Sequence, residues 1–586
     1  MFRKILVANR GEIAIRVMRA CRELGVASVA IYGEEERAAP HVRYADEAFV
    51  IEAGDATRPY LNAPGIVAVA VRAGAEAVHP GYGFLAENAG FARAVLDAGL
   101  VWIGPPPAAI EAMGDKIAAR RIAGEAGVPL VPGTNEAVPS PEAAAVLGEQ
   151  WGFPLALKAA GGGGGRGFRV AHSAAEVPEA FAAASREGQN FFNNPTLYVE
   201  KYIENPKHIE IQVFADRHGR AIHLGERECS VQRRHQKLIE EAPSPAVDAA
   251  LRARMGTAAV ALAVAVGYEG AGTLEFLLDR DKNFYFMEMN TRIQVEHTVT
   301  EEVTGCDLVK AQLRVAAGEP LPWSQEEIGW RGHAIECRIN AEDPARGFAP
   351  TPGTITAYKE PGGGGVRIDG AAEAGGVISP RYDSMIAKLI ARGSDRAEAI
   401  ARMERALSEF VIGGVASTIP FHRAVLAHPV FVRGDATTDW IERDGIGRDL
   451  PPADLPPGDD QPAPATRDYT LEVNGKRFAV RLIGADSADL GPTSGPDAAR
   501  TARPAPKRGA RSAPHGNGAL TSPIQGTVLR VAVEAGAQVS AGDLVCVVEA
   551  MKMENEITAP RDGTIRELIV KAGQTVRIGE RLAVIG

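Results

Sequence analysis

Between Phe284 and His297 the chain reads FYFMEMNTRIQVEH, with polar residues on every second position. In an extended backbone alternate side chains share a face. That rule groups Glu288, Asn290, Arg292, Gln294 and Glu296 opposite Met287, Met289, Thr291, Ile293 and Val295. An amphipathic surface strand would show the same alternation, but two details point to a phosphate–metal site. The run directly follows Phe284, Tyr285 and Phe286, which predicts a strand at the centre of a sheet. Its polar set also joins hard oxygen donors, a guanidinium and a spare carboxylate. Magnesium takes carboxylate and amide oxygens together with phosphate, and arginine grips planar oxyanions with paired hydrogen bonds.

A second set lies at Pro154–Lys158 (PLALK), Gly161–Gly165, Arg166, Gly167 and Phe168-Arg169-Val170, which reads as strand, glycine loop, strand. A Walker loop needs Gly-Lys-Ser/Thr opening a helix, and a dinucleotide fingerprint also needs a helix after it. Neither is present. Glycine-rich hairpins can cover nucleotide phosphates with amide donors and hinge freedom. A plain flexible linker fits less well, because both flanks are strand-like and carry Lys158 and Arg166. A third candidate is Lys552, in Glu549-Ala550-Met551-Lys552-Met553-Glu554.

These residues need elements to hold them. Ile5–Ala8 reads as a buried strand, Ile13, Val17, Met18, Cys21 and Leu24 recur at helical spacing up to Gly25, and Val26–Tyr32 returns to a strand. The chain therefore opens as a β-α-β unit with a parallel sheet. Arg19 and Glu23, one turn apart, are expected to form a surface pair. An amphipathic helix is expected at Ala397–Phe410. Asp449–Arg467 is too rich in Pro and Asp to pack a core. Tyr469, Leu471, Val473, then Asn474-Gly475, then Phe478, Val480, Leu482 signal a β-hairpin. Ala485–Ala519 is again Pro-, Gly- and Ala-rich, with basic residues that read as solvated linker.

The final segment contains a repeat: Pro523/Pro560, Gly526/Gly563, Thr527/Thr564, Gly536/Gly573 and Gly542/Gly579 each stand 37 positions apart. Two such halves imply a small β-barrel with pseudo-twofold symmetry, joined by an exposed turn that presents Lys552.

The formal net charge of −10 gives no reason to expect nucleic-acid binding. Cys21, Cys229, Cys306, Cys337 and Cys546 stand far apart, without a C-x-x-C pair, as suits a reducing compartment. The N-terminal apolar run is too short for a signal peptide, and no stretch approaches a membrane span of ~20 apolar residues. A cytoplasmic protein without membrane or nucleic-acid partners is expected. Most histidines, His79 and His297 among them, read as structural.

An ordered series of segments resembles the ATP-grasp superfamily and, within it, biotin carboxylases. It comprises ILVANRGEIAIRV, HPGYGFLAEN, MGDK, KAAGGGGGRG, VEKYIENPKHIEIQ, SVQRRHQKLIEEAP, EMNTRIQVEHTVTE, ECRINAEDP and YDSMIAKLI. The Ala-Met-Lys-Met turn is similar to the biotin-attachment sequence of biotinyl/lipoyl carriers, whose lipoyl members usually carry Asp-Lys-Ala there. The resemblance implies an α/β chain with a biotin carboxylase at 1–446. Its parts would be a pre-ATP-grasp β-α-β domain (1–114), an ATP-grasp fold (115–330) with a mobile Gly-rich lid at 131–203, and a C-terminal domain (331–446). A linker (447–520) with a hairpin at 469–482 and an all-β biotinyl/lipoyl carrier barrel (521–586) would follow.

Carried over by residue, the resemblance implies ATP binding by Lys116, Lys158, Gly164, Gly165, Glu200, Lys201, Tyr202, Ile203, His208, Gln232, His235, Glu275 and Glu288. Magnesium or manganese would sit on Glu275, Glu288 and Asn290. Bicarbonate would sit on Lys237, Arg292, Gln294 and Val295. Glu296 would act as general base, Arg338 would face the ureido oxygen of biotin, and biotin would be attached to Lys552 by a biotin protein ligase. The expected assembly is a homo-oligomer, dimeric near the first helix. A separate carboxyltransferase (β) subunit would act on acetyl-CoA or propionyl-CoA. The carboxylase subunit of a two-chain pyruvate carboxylase is the alternative.

Overall fold

The computed structural model describes residues 1–52, 59–161, 167–453, 466–473, 476–483, 519–522, 526–550, 553–576 and 579–586. They form two compact units, residues 1–453 and the greater part of 454–586.

In the first unit Lys4–Val7, Ala27–Tyr32, Glu47–Val50, Ala77–His79 and Val101–Trp102 make an all-parallel sheet, with Lys4–Val7 at its centre. Ile5, Leu6, Val7, Val29, Ala30 and Ile31 are wholly buried, as strands covered on both faces must be. The helix Gly11–Glu23 puts Ile13, Val17, Met18 and Cys21 into the core, as their spacing predicts. Glu23 pairs with Lys310 on the neighbouring helix Leu308–Ala316, where a pairing with Arg19 was expected. Packing between helices brings that ammonium across.

A second, antiparallel sheet has eight strands in the order Phe284–Asn290, Gly270–Leu278, Lys207–Ala215, Ala221–Arg233, Gln236–Ala242, His333–Asn340, Met385–Gly393, Val366–Gly370. It runs unbroken past residue 330. Ile209, Ile211 and Val213 face Met255, Ala259 and Leu262 of the helix Ala249–Ala265; the opposite face carries the charged residues of the site. The amphipathic helix near residue 400 spans Arg396–Glu409 and buries Ala399, Met403 and Leu407.

Leu155–Ala159 pairs antiparallel with both Phe168–Ala171 and Leu197–Lys201. The helices Pro141–Trp151 and Val177–Phe192 belong to the same layer, Ala144, Val177 and Ala184 sharing its apolar core. The strand–loop–strand reading thus holds at its flanks, while Gly164, Gly165 and Arg166 lie outside the described residues.

In the second unit Thr466–Val473 and Lys476–Ile483 pair as the expected hairpin. Eight further strands form two four-stranded sheets. Gly536, Gly542, Gly573 and Gly579 all have positive φ, which explains why glycine recurs at these repeat positions. The repeat also appears in the backbone hydrogen bonds. Gly536 donates to Ile565 and Gly573 to Val528, Gly542 to Ala559 and Gly579 to Ser522, at 2.7–2.8 Å. Each partner lies in the other half. Lys552 lies outside the described residues. Among those described, no helix is long and apolar enough to cross a membrane.

Candidate active site

Five cross-strand neighbours supply the floor of the site. Glu275 faces Glu288, Thr273 faces Asn290, and Glu275 also faces Glu210 on its other side. The strand Phe284–Asn290 is an edge strand, not the central one expected. It also bulges at Met287: Phe286 pairs with Phe276, yet Glu288 pairs with Glu275. Without that extra residue Glu288 would share the core-facing side of Phe284 and Phe286. The bulge turns it and Asn290 to the other face. The alternating pattern continues in sequence to Glu296, but the strand ends at Asn290. Arg292, Gln294 and Glu296 stand on a loop that leads into the helix His297–Thr304.

The loop is aimed by distant partners. Glu87 accepts from the Thr291 amide (2.9 Å) and from Arg292 Nε (2.8 Å). Arg292 also donates to Gln294 Oε1 (2.8 Å) and to Asn290 Oδ1 (3.0 Å), and Gln294 donates to Glu275 Oε1 (3.0 Å). Behind the loop, Lys388 Nζ donates to the Val295 carbonyl (2.9 Å) and the Gln294 carbonyl lies 2.7 Å from His297 Nδ1.

Lys237 Nζ sits among three carboxylates, donating to Glu210 (2.5 Å), Glu275 (2.9 Å) and Glu296 (2.6 Å). Arg227, wholly buried, fixes Glu210 and donates to Gln212, Thr273 and Thr300. Arg338 donates from Nε to Glu240 (2.6 Å) and from Nη2 to Glu296 (2.9 Å). Burial pushes the Glu296 carboxyl upward, but Lys237, Arg338 and Arg227 together hold it below the usual carboxylate range. It is ionised. Glu240, the second carboxylate on Arg338, is instead raised to about 7 by burial, against the opposing pull of Arg338.

Across the cavity Lys116 opens the helix Lys116–Glu125, capped by Asp115, and its Nζ lies 3.0 Å from Glu288. Lys158 and Arg120 both pair with buried Glu200. Lys201 spends its ammonium on the carbonyls of Gly152 (2.8 Å) and Phe153 (3.1 Å), and its backbone N–H donates to the Pro132 carbonyl (2.8 Å). His208 Nε2 is 3.1 Å from Glu275.

These groups enclose one cavity of about 860 Å³. Lys116, Lys158, Glu200, Lys201, Tyr202, Ile203, His208, Gln232, His235, Lys237, Glu275, Glu288, Asn290, Arg292, Gln294, Val295 and Arg338 all line it. Glu296 lies just beneath, fully buried. Gly164, Gly165 and Lys552 cannot be placed, being outside the described residues. The sequence reading missed Glu87, Arg120, Glu210, Arg227, Glu240 and Lys388. A signal existed for Glu210: His208, Glu210 and Gln212 alternate with Ile209, Ile211 and Val213 along one strand.

The donors suit a hard divalent cation: Glu275 and Glu288 in register, with Asn290 two residues on. Lysine ammonium groups already stand against both carboxylates, so the pocket tolerates positive charge there.

Known proteins carry the same parts in the same order. The family models for the biotin carboxylase N-terminal domain, the carbamoyl-phosphate synthase L chain ATP-binding domain and the biotin carboxylase C-terminal domain match residues 1–110, 115–324 and 336–443. A model described as biotin-requiring enzyme matches residues 518–585. A pyruvate carboxylase subunit from Methanothermobacter thermautotrophicus is 54% identical over 452 residues, 77% of this chain and 92% of that one. The chain belongs to the biotin carboxylase family. As a biotin carboxylase fused to a biotin carrier, it uses ATP, magnesium and biotin to carboxylate biotin. The α3 subunit of a biotin-dependent acyl-coenzyme A carboxylase from Mycobacterium leprae is 46% identical to this biotin carboxylase over 561 residues, 94% of both chains. Among solved structures, the biotin carboxylase domain dimer of Hydrogenobacter thermophilus 2-oxoglutarate carboxylase, in complex with MgADP, ADP and bicarbonate, superposes with a TM-score of 0.74. It has 49% identity and covers 77% of this chain and 99% of that one.

Proposed function

We propose that this biotin carboxylase is the α subunit of an acyl-CoA carboxylase acting on acetyl-CoA or propionyl-CoA, whose carboxyltransferase is a separate chain. One observation carries the reading: the match to an acyl-coenzyme A carboxylase α subunit runs through carboxylase and carrier alike, over 94% of both chains. The rival, a two-chain pyruvate carboxylase, is favoured by the 54% match to the archaeal pyruvate carboxylase chain, which spans 77% of this one. A homodimer near the helix Gly11–Glu23, a cytoplasmic location and attachment of biotin to Lys552 by a biotin protein ligase belong to the same proposal.

Within the cavity we assign ATP to Lys116, Lys158, Glu200, Lys201, Tyr202, Ile203, His208, Gln232, His235, Glu275 and Glu288; Gly164 and Gly165 belong to the same assignment. Lys237, Arg292, Gln294 and the Val295 backbone hold bicarbonate. Glu275, Glu288 and Asn290 would hold magnesium, which would supply charge neutralisation at the phosphates. Biotin on Lys552 would supply a ureido nitrogen for carboxylation and a long arm. Glu296 is ionised beside Lys237 and can take the bicarbonate proton, turning a weak nucleophile into one able to attack the γ-phosphate. Arg338, anchored by Glu240, offers its guanidinium to the ureido oxygen as charge collects there.

Arg338→Ala should lower free-biotin turnover by about 10²- to 10³-fold, the loss typical of one oxyanion donor, while ADP binding persists. Unchanged biotin turnover refutes the role. For the acceptor, the avidin-captured chain and its co-purifying partner are assayed with acetyl-CoA, propionyl-CoA and pyruvate. Carboxylation of pyruvate alone overturns the acyl-CoA assignment.

A further inference from the structure

We propose that His297 and Lys388 are positioning residues that clamp the bicarbonate loop from behind by holding two consecutive carbonyls. The proposal rests on the assignment of bicarbonate to Arg292, Gln294 and Val295. Neither side chain is among the groups assigned to substrate.

The Gln294 carbonyl can only accept, so the 2.7 Å contact requires the proton of His297 to sit on Nδ1. Burial, reinforced by nearby Lys388, Arg16 and Arg367, holds His297 well below its ordinary value, which keeps the ring neutral. The peptide that ends in the Gln294 carbonyl begins the next residue with the Val295 N–H. Drawing that carbonyl backward turns the amide toward the opposite side, where Val295 lines the cavity.

Lys388 repeats the action one peptide later. Its side chain is wholly buried, with Nζ 2.9 Å from the Val295 carbonyl, 3.3 Å from Glu12 and 3.9 Å from Asp369. A buried ammonium persists only where carboxylates compensate for lost hydration, and here they come from the first helix and from the strand Val366–Gly370. With both carbonyls drawn back, the loop presents successive N–H groups forward, an arrangement that suits a small oxyanion. Glu87 fixes the front of the same loop through Thr291 and Arg292, so it is held at both ends.

The test measures KM for bicarbonate and for ATP in the full-length holoenzyme with free biotin. His297→Leu removes the Nδ1 donor, whereas the side-chain amide of His297→Asn can occupy the same position. Lys388→Met keeps the length and removes the charge. His297→Leu and Lys388→Met should raise the bicarbonate KM by about ten- to a hundredfold, the scale on which a sub-ångström misplacement is felt, with the ATP KM nearly unchanged. His297→Asn should stay near wild type. Calorimetric titration with ADP checks that each variant is folded; if Lys388→Met binds no ADP, the two His297 variants decide. Equal rises in both KM values, no rise in the bicarbonate KM, or loss of ADP binding in both Lys388→Met and His297→Leu overturns the proposal. Arg292→Gln separates the two levels of inference. If it too leaves the bicarbonate KM unchanged, the assignment of the bicarbonate site fails. If it alone raises that KM, only the clamp fails.

Discussion

In the carboxylase cavity Arg292 meets Glu87 from 205 residues away, and Lys237 gathers carboxylates from three separate elements. In the carrier, the corresponding work is done by the backbone amides of four of the six glycines that recur 37 residues apart. The first region fixes charged side chains whose protonation matters, and it needs dense, non-local pairing to do so. The second is shaped by short strands and positive-φ corners. The charged cavity is thus written across most of the first unit, whereas the carrier is written locally and twice.

The strongest way to break this contrast is Glu296→Gln, which keeps the side chain's size but removes its negative charge. Bicarbonate-dependent ATP cleavage with free biotin should fall by about 10²- to 10⁴-fold, with ADP binding retained. Near-normal turnover would show that the buried network is scaffold only.

A smaller effect sharpens the other side. Gly542 and Gly579 have φ of 98° and 78°, and a Cβ on either would meet no atom within 4 Å. Gly542→Ala and Gly579→Ala therefore add backbone strain alone, about 1–2 kcal/mol each. Hydrogen exchange of the carrier strands in the full chain should report matching losses, with free-biotin carboxylation unaffected. A marked inequality would mean that the two halves are alike in outline but not in energy.

The smallest effect concerns Glu342, at the cavity wall beside Ser384 and Asn340. Burial raises it to about 7. A carboxyl raised in this way favours folding below its unfolded value, and that contribution disappears as pH climbs through 7. Glu342→Gln should lessen the decline in melting temperature between about pH 5 and 8 by only ~2 °C. Identical pH profiles would remove Glu342 from the charge network.

Much of this was legible beforehand. The β-α-β opening, the strands flanking the glycine loop, the hairpin and the repeated half-barrels all follow from local periodicity and turn residues. Every described residue assigned to ATP, metal or bicarbonate lines the same cavity, because the ordered motifs carried positions that spacing alone could not. What escaped depends on non-local geometry. The alternation from Glu288 to Glu296 spans a strand and then a loop, and nothing in FYFMEMN announces a bulge at Met287 or an edge position. Glu87, Arg227 and Lys388 are single charged residues whose partners emerge only when distant segments meet.

The crossed amide bonds of the carrier have a further consequence. A polypeptide of half its length would leave its own share of those amide hydrogens without acceptors unless a second molecule supplied them. Two separate fragments cut between the halves should find each other and reassemble, and a gene-doubling origin would have begun as a pair of identical small chains clasped together.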